Sequence, residues 1–160
     1  LHTNGAYETI NRVIGVFPPH QQENIRRQLA QIIKGVVSQR LVPTKDGKGR
    51  VAACEVMRAS LRIKELIQDP ERAHEIPESM EQTHVTLRTQ TFDQALLQLL
   101  KEGKITYDTA LAYANSPDDL ALRISGVSGS GEDDFEQTVV AQAKTEPPTP
   151  LDDGIERFGE

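Results

Sequence analysis

The sequence predicts an α/β chain that is mostly helical, carries one short β-hairpin, and ends in an acidic, disordered tail. Three observations lead there. Apolar residues recur at helical spacing in several segments, each opened by a capping residue or closed by Pro or Gly. Asp46-Gly47 separates two extended runs, a hairpin signal because glycine accepts positive φ at no steric cost. From Gly126 onward the apolar residues scatter, and Gly, Ser, Pro and acidic residues take over, too dilute in apolar surface to build a core.

Taken in order, residues 6–16 form a first helix with Ile10, Val13 and Ile14 on one side, stopped by Pro18-Pro19. A second helix follows with a stripe of Ile25, Leu29, Ile32, Ile33, Val36 and Val37, and Gly35 inside it allows close packing. Residues 40–44 and 50–57 are the strands. The second of them, Val51 to Met57, does not alternate apolar with polar, which predicts burial on both faces. Ser60 caps a helix bearing Ile63, Leu66 and Ile67 that ends at Asp69-Pro70, and a short helix lies around Ile76 to Gln82. Thr91 and Gln94 form a capping box ahead of Phe92, Ala95, Leu96, Leu99 and Leu100, and Gly103 closes that helix. Thr106 opens the next, with Ala110, Leu111 and Ala114 inside, and Ser116-Pro117-Asp118-Asp119 starts the last.

The formal charge of −6 belongs to the tail, where nine acidic residues face only Lys144 and Arg157. Residues 1–125 hold 16 basic and 15 acidic groups and are nearly neutral. Arg40, Lys45, Lys48, Arg50, Arg58, Arg62 and Lys64 do outnumber the acids between positions 40 and 64, but no aromatic residue is interleaved among them. A nucleic-acid surface would use such residues for stacking, so no nucleic acid is expected and a solvated or subunit-facing surface is the better reading. A lone Cys54 excludes an internal disulfide and a cysteine zinc cluster. His20, His74 and His84 match no ligand spacing, so no metal site is expected. No apolar run approaches the roughly 18 residues of a membrane helix, which argues against direct membrane insertion. Residues 126–131 are glycine-rich, but no Lys follows the last Gly and no helix is set to receive an anion, so they read as a linker. Glu55 places a carboxylate in a buried strand, where a charge needs a partner, and Arg40 or Arg50 on the hairpin are the candidates.

Several stretches stand in a fixed order along the chain. They are Leu1-His2-Thr3-Asn4, Val16-Phe17-Pro18-Pro19-His20-Gln21-Gln22, residues 32–43, Asp46-Gly47-Lys48-Gly49-Arg50-Val51-Ala52-Ala53 with Glu55-Val56-Met57, and Gln90-Thr91-Phe92-Asp93-Gln94-Ala95-Leu96. In that order they resemble the type IV pilus retraction ATPases, the twitching-motility PilT family of the secretion-ATPase superfamily, over roughly residues 1–115. The resemblance implies that the chain begins in mid-motif and is the C-terminal portion of a motor. Residues 1–58 would be the last part of a RecA-like P-loop ATPase core, 59–125 a small helical subdomain and 126–160 the tail. No G-x-x-x-x-G-K-[ST] loop and no acidic metal-binding strand occur in the sequence. ATP and Mg²⁺ therefore belong to the full-length parent, no cofactor is expected for the fragment, and the fragment is expected to be inactive alone.

The resemblance also assigns roles. His2 is the remnant of the family's His box, where an imidazole senses the state of the nucleotide. Ile63, Lys64, Glu65, Leu66 and Ile67 fall on the retraction motif, which in the family reads like Ala-Ile-Arg-Asn-Leu-Ile. Here Ile63, Leu66 and Ile67 keep the apolar stripe, while Arg62, Lys64 and Glu65 alter the polar face, as in a diverged paralogue. In a ring ATPase, Arg40, Lys48 and Arg50 form a candidate subunit interface. The implied partners are further copies in a homohexamer and an inner-membrane platform protein of the pilus, which places the chain in the cytoplasm at the inner-membrane face. Two alternatives stand beside this. Assembly and type II secretion ATPases carry a four-cysteine zinc element after the segment equivalent to Gln39-Arg40-Leu41, whereas this chain continues Val42-Pro43-Thr44 without cysteine, which favours the retraction branch. The other is a non-catalytic interaction module derived from such a motor.

Overall fold

Side-chain caps set where three of the helices begin, at Ser60, Thr91 and Thr106. The computed structural model describes residues 3–126. After α1 (Ala6–Gly15) the chain enters α2 (Pro19–Ile32) through Pro18, with Pro19 at the first helical turn, where its missing amide proton is not needed. Two antiparallel strands follow, β1 (Gly35–Pro43) and β2 (Arg50–Arg58), in register from Gly35 opposite Arg58 to Pro43 opposite Arg50. Gly47 takes φ 67° in the connecting turn, the left-handed conformation anticipated for Asp-Gly. Ser60 accepts a hydrogen bond from the Ile63 amide and starts α3 (Leu61–Gln68). A 3-10 turn (Ala73–Glu75) leads into α4 (Ile76–Gln82), and a short α5 (His84–Leu87) ends at Arg88 in the left-handed region. The Thr91–Gln94 capping box is complete at the head of α6 (Phe92–Lys101). Thr106 caps α7 (Tyr107–Tyr113), and α8 (Pro117–Ile124) follows.

Two expectations are corrected. The second helix does not run on to Val37. It stops at Ile32, Ile33 turns extended, and Val36 and Val37 belong to β1. The apolar spacing at 25, 29, 32 and 33 continues through 36 and 37 by coincidence. Gly35 weakens a helix there by about 1 kcal/mol, and the β-branched pair after it favours a strand. Gly35 does pack closely, but across the sheet: a Cβ on it would lie 2.7 Å from the Met57 carbonyl oxygen. Nor is β2 buried on both faces. Ala53, Glu55 and Met57 are buried, whereas Ala52 is exposed and Cys54 and Val56 are half-buried. The alternation was hidden because a carboxylate occupies the middle of the inward register.

Among the described residues the sheet has these two strands, and helices pack along it in two groups. The first core joins Ala6, Ile10 and Ile14 of α1, Ala30 of α2, Met57 of β2, the stripe of α3, and Ile76 and Met80 of α4. Phe92, Leu96, Ile105 and Ala110 are likewise buried where α6 packs on β2 and on α7. Gln90 extends the pairing of β2 by exchanging two backbone hydrogen bonds with Val56 at 2.8 and 2.9 Å. The described residues up to Ala121 form one compact unit, and those from Leu122 on, at the end of α8, fall outside it. The tail expected from position 126 lies, but for Gly126, outside the described residues.

Candidate functional site

Polar groups from four separate segments meet near the start of α1. His2 lies outside the described residues, but the chain that follows it is held at several points. The Asn4 amide donates to Glu8 Oε2 at 2.9 Å, and the hydroxyls of Thr3 and Thr9 lie 2.7 Å apart. The Ala6 amide, one of the free donors at the head of α1, donates to Glu55 Oε1 at 2.6 Å. Glu55 is 4% exposed. Burial raises its carboxyl above the ordinary value, opposed by the amide of Ala6, the charge of Arg40 and the amide of Phe92, while Asp93 adds to the rise. A side chain at Gly5 would meet Glu55 Oε1 at 2.9 Å, so the backbone must be bare for the carboxylate to reach the helix.

Arg40 sits at the centre of this arrangement. Its guanidinium donates to the Asn4 carbonyl at 2.7 Å, to the Tyr113 carbonyl at 2.9 Å and to Asn115 Oδ1 at 2.7 Å. The same group lies over the Phe92 ring. Asp93, next in sequence, accepts from the amides of Asn115 and Ser116 at 2.7 and 3.0 Å and so fixes the turn between α7 and α8. A cavity of about 250 Å³ opens beside these groups, lined among others by Asn4, Arg40, Glu55 and Asn115.

Arg40 and Arg50 were the expected partners of Glu55. Arg40 acts on it through space, Arg50 turns instead to the Leu41 carbonyl at 3.1 Å, and the direct partner is the Ala6 amide. Asp93, Asn115 and the Phe92 ring were not anticipated. Asp93 sits inside the capping-box segment, but nothing in sequence spacing relates it to a turn more than twenty residues later. The three cations of the candidate interface separate in the structure. Arg40 points into the chain, while Lys48 and Arg50 are exposed near the hairpin turn. There the Thr44 hydroxyl and the Lys48 amide hold the Asp46 carboxyl below its usual range.

In α3, Ile63, Leu66 and Ile67 are fully buried, Lys64 is half-buried and Glu65 is exposed. On the polar face of α3, Arg62 Nη2 lies 2.7 Å from the Glu75 carboxylate, which Arg72 Nε also approaches at 2.8 Å from outside the helix. These pairs hold the Glu75 carboxyl below its ordinary value. Among the described residues no group of three or more His, Cys, Asp or Glu is placed to hold a metal ion. No helix of the described residues is long and apolar enough to cross a membrane. The phosphate-loop pattern G-x-x-x-x-G-K-[ST] does not occur in the sequence, and Gly47 and Gly103 serve a hairpin turn and a helix end.

No family model matches the chain. The type IV pilus ATPase PilU of Pseudomonas aeruginosa is 41% identical over 133 residues, covering 83% of this chain and 34% of PilU. The type IV pilus retraction ATPase PilT of the same organism is 37% identical over 118 residues, 74% of this chain and 33% of PilT. The crystal structure of the pilus retraction motor PilT with bound ADP superposes with a TM-score of 0.62 at 36% identity, over 76% of this chain and 33% of that one. The chain belongs to the PilT family. It corresponds to a C-terminal part of a PilT-family ATPase core and spans about a third of the length of the relatives it matches. In this member of the PilT family, the cluster around Arg40 gathers the segment that follows His2, the hairpin and the turn between α7 and α8.

Proposed function

We propose that the chain supplies the end of the RecA-like core (residues 1–58) and the helical subdomain (59–125) of a hexameric ATPase that powers type IV pilus retraction and twitching motility. The observation that supports this most is the match to PilU over 83% of the chain. In this reading ATP and Mg²⁺ are held by the parent's phosphate loop, and the residues here take no part in phosphoryl transfer when isolated. His2 reports the state of the nucleotide from the start of the segment tied down by Arg40 and Glu55. The helix bearing Ile63, Lys64, Glu65, Leu66 and Ile67 passes the motion on towards an inner-membrane platform protein, at the cytoplasmic face of that membrane. Lys48 and Arg50, with the hairpin that also carries Arg40, face a neighbouring subunit. Identity to PilU exceeds identity to PilT, 41% against 37%, which accords with the altered polar face of α3 and with a diverged paralogue.

The test is the coding DNA upstream of the Leu1 codon. The expected result is an open frame through a G-x-x-x-x-G-K-[ST] loop. Its whole product should hydrolyse ATP, lose that activity when the loop lysine becomes alanine, and lose twitching in cells with the same change. A start codon immediately before Leu1 overturns the reading and leaves the interaction module in its place.

A further inference from the structure

Residues 3–6 and residues 113–116 exchange no hydrogen bond with one another, yet both are bonded to one guanidinium. Arg40 takes the Asn4 carbonyl on one side, and the Tyr113 carbonyl and Asn115 Oδ1 on the other. Arg40 Nη2 serves Asn4 and Asn115 together, so neither acceptor can shift without moving the group that holds the other. The Phe92 ring beneath the guanidinium plane limits its tilt, and Asp93 braces the far side of the turn through two amides. A planar fork with fixed donor directions suits this role, where a flexible ammonium would follow one acceptor and release the other.

We propose that Arg40 is a positioning residue that makes the segment following His2 and the turn between α7 and α8 move as one body. Displacement of either end is carried to the other through a single side chain. The coupling is a property of this chain's own residues; its meaning for a motor, that nucleotide sensing at His2 reaches the C-terminal helices, rests on the function proposed above.

Hydrogen exchange on the chain itself tests the coupling without any ATPase readout. The Ala6 amide, bonded to Glu55, reports on the first segment, and the Asn115 and Ser116 amides, bonded to Asp93, report on the turn. Asn115→Ala removes one acceptor at an exposed position. It should speed exchange at the Ala6 amide roughly tenfold, the size of effect expected between residues sharing one network. In an Arg40→Gln background the same Asn115→Ala change should add nothing at Ala6. If Asn115→Ala quickens exchange only in its own turn, the coupling does not exist. An equal effect at Ala6 with and without Arg40 overturns the assignment to Arg40. Should Arg40→Gln not fold, Arg40→Lys, which keeps the charge and loses the fork, serves as the background and the same comparison decides. A parent found to lack ATPase activity would leave these exchange results standing, so the two readings fail separately.

Discussion

The guanidinium carbon of Arg40 lies 3.9 Å above the centroid of the Phe92 ring while its nitrogens bond two carbonyls and an amide oxygen. Arg40→Lys keeps the charge but loses the fork and most of the stacking plane. A loss of about 1–3 kcal/mol in urea unfolding is expected, combining charge-assisted hydrogen bonds with a cation–π contact. A midpoint unchanged from the parent would show that the network contributes nothing net.

Glu55 sets a pH dependence. Burial raises its carboxyl above the 4.5 of the unfolded chain, so the folded state holds the proton more tightly. Its contribution to stability is fully present below 4.5 and is lost as pH rises through the folded value. Asp46, Glu75 and Glu102 are lowered instead, so their contributions disappear as pH falls. Glu55→Gln keeps an acceptor for the Ala6 amide and removes the titration. Urea midpoints measured from mildly acidic to neutral pH should decline for the parent and stay flatter for the variant. Parallel curves would rule the assignment out.

Gly35→Ala should destabilise by about 1–3 kcal/mol, because the new Cβ would meet the Met57 carbonyl oxygen at 2.7 Å and backbone cannot swing aside like a flexible side chain. A chemical denaturation series on this one variant is sufficient, and a loss under a few tenths would mean that the strands separate more readily than the register implies.

The two faces of α3 should respond differently. Leu66→Ala empties a fully buried position and should cost about 2–5 kcal/mol. Glu65→Asn, a change at an exposed site, should stay within about 0.5 kcal/mol. Arg62 Nη1 lies 4.0 Å from Glu65, an exposed pair too weak to change that expectation. If the outward substitution unfolds the chain, the polar face is part of the packing rather than free for contact.

How much could be read in advance depended on the range of the interaction. Ser60, Thr91 and Thr106 cap helices through bonds to residues three positions on, and those helices were placed from sequence. Val36 and Val37 were misplaced because two apolar residues in phase with a helical stripe say nothing about a strand partner; only pairing with Met57 and Val56 makes them β. Glu55 was recognised as needing a partner, but the Ala6 amide lies 49 positions away and backbone donors leave no trace in composition. The same holds for Arg40, whose acceptors are two main-chain carbonyls and one exposed asparagine. The stripe of Ile63, Leu66 and Ile67 was legible as a buried helix face, whereas the Glu75 carboxylate that binds Arg62 came from a turn not anticipated between α3 and α4.

β2 is only nine residues long, yet Met57 closes one group of helices and the edge at Val56 seats Gln90 just ahead of the other. A slip of one position along this strand would exchange Ala53, Glu55 and Met57 for Ala52, Cys54 and Val56, pulling a carboxylate from its helix and an apolar plug from its core together. Residues 1–121 are therefore bound to a shared fate. Heat or denaturant should bring both helical groups down in one transition, and a cut within the strand should leave neither half able to fold.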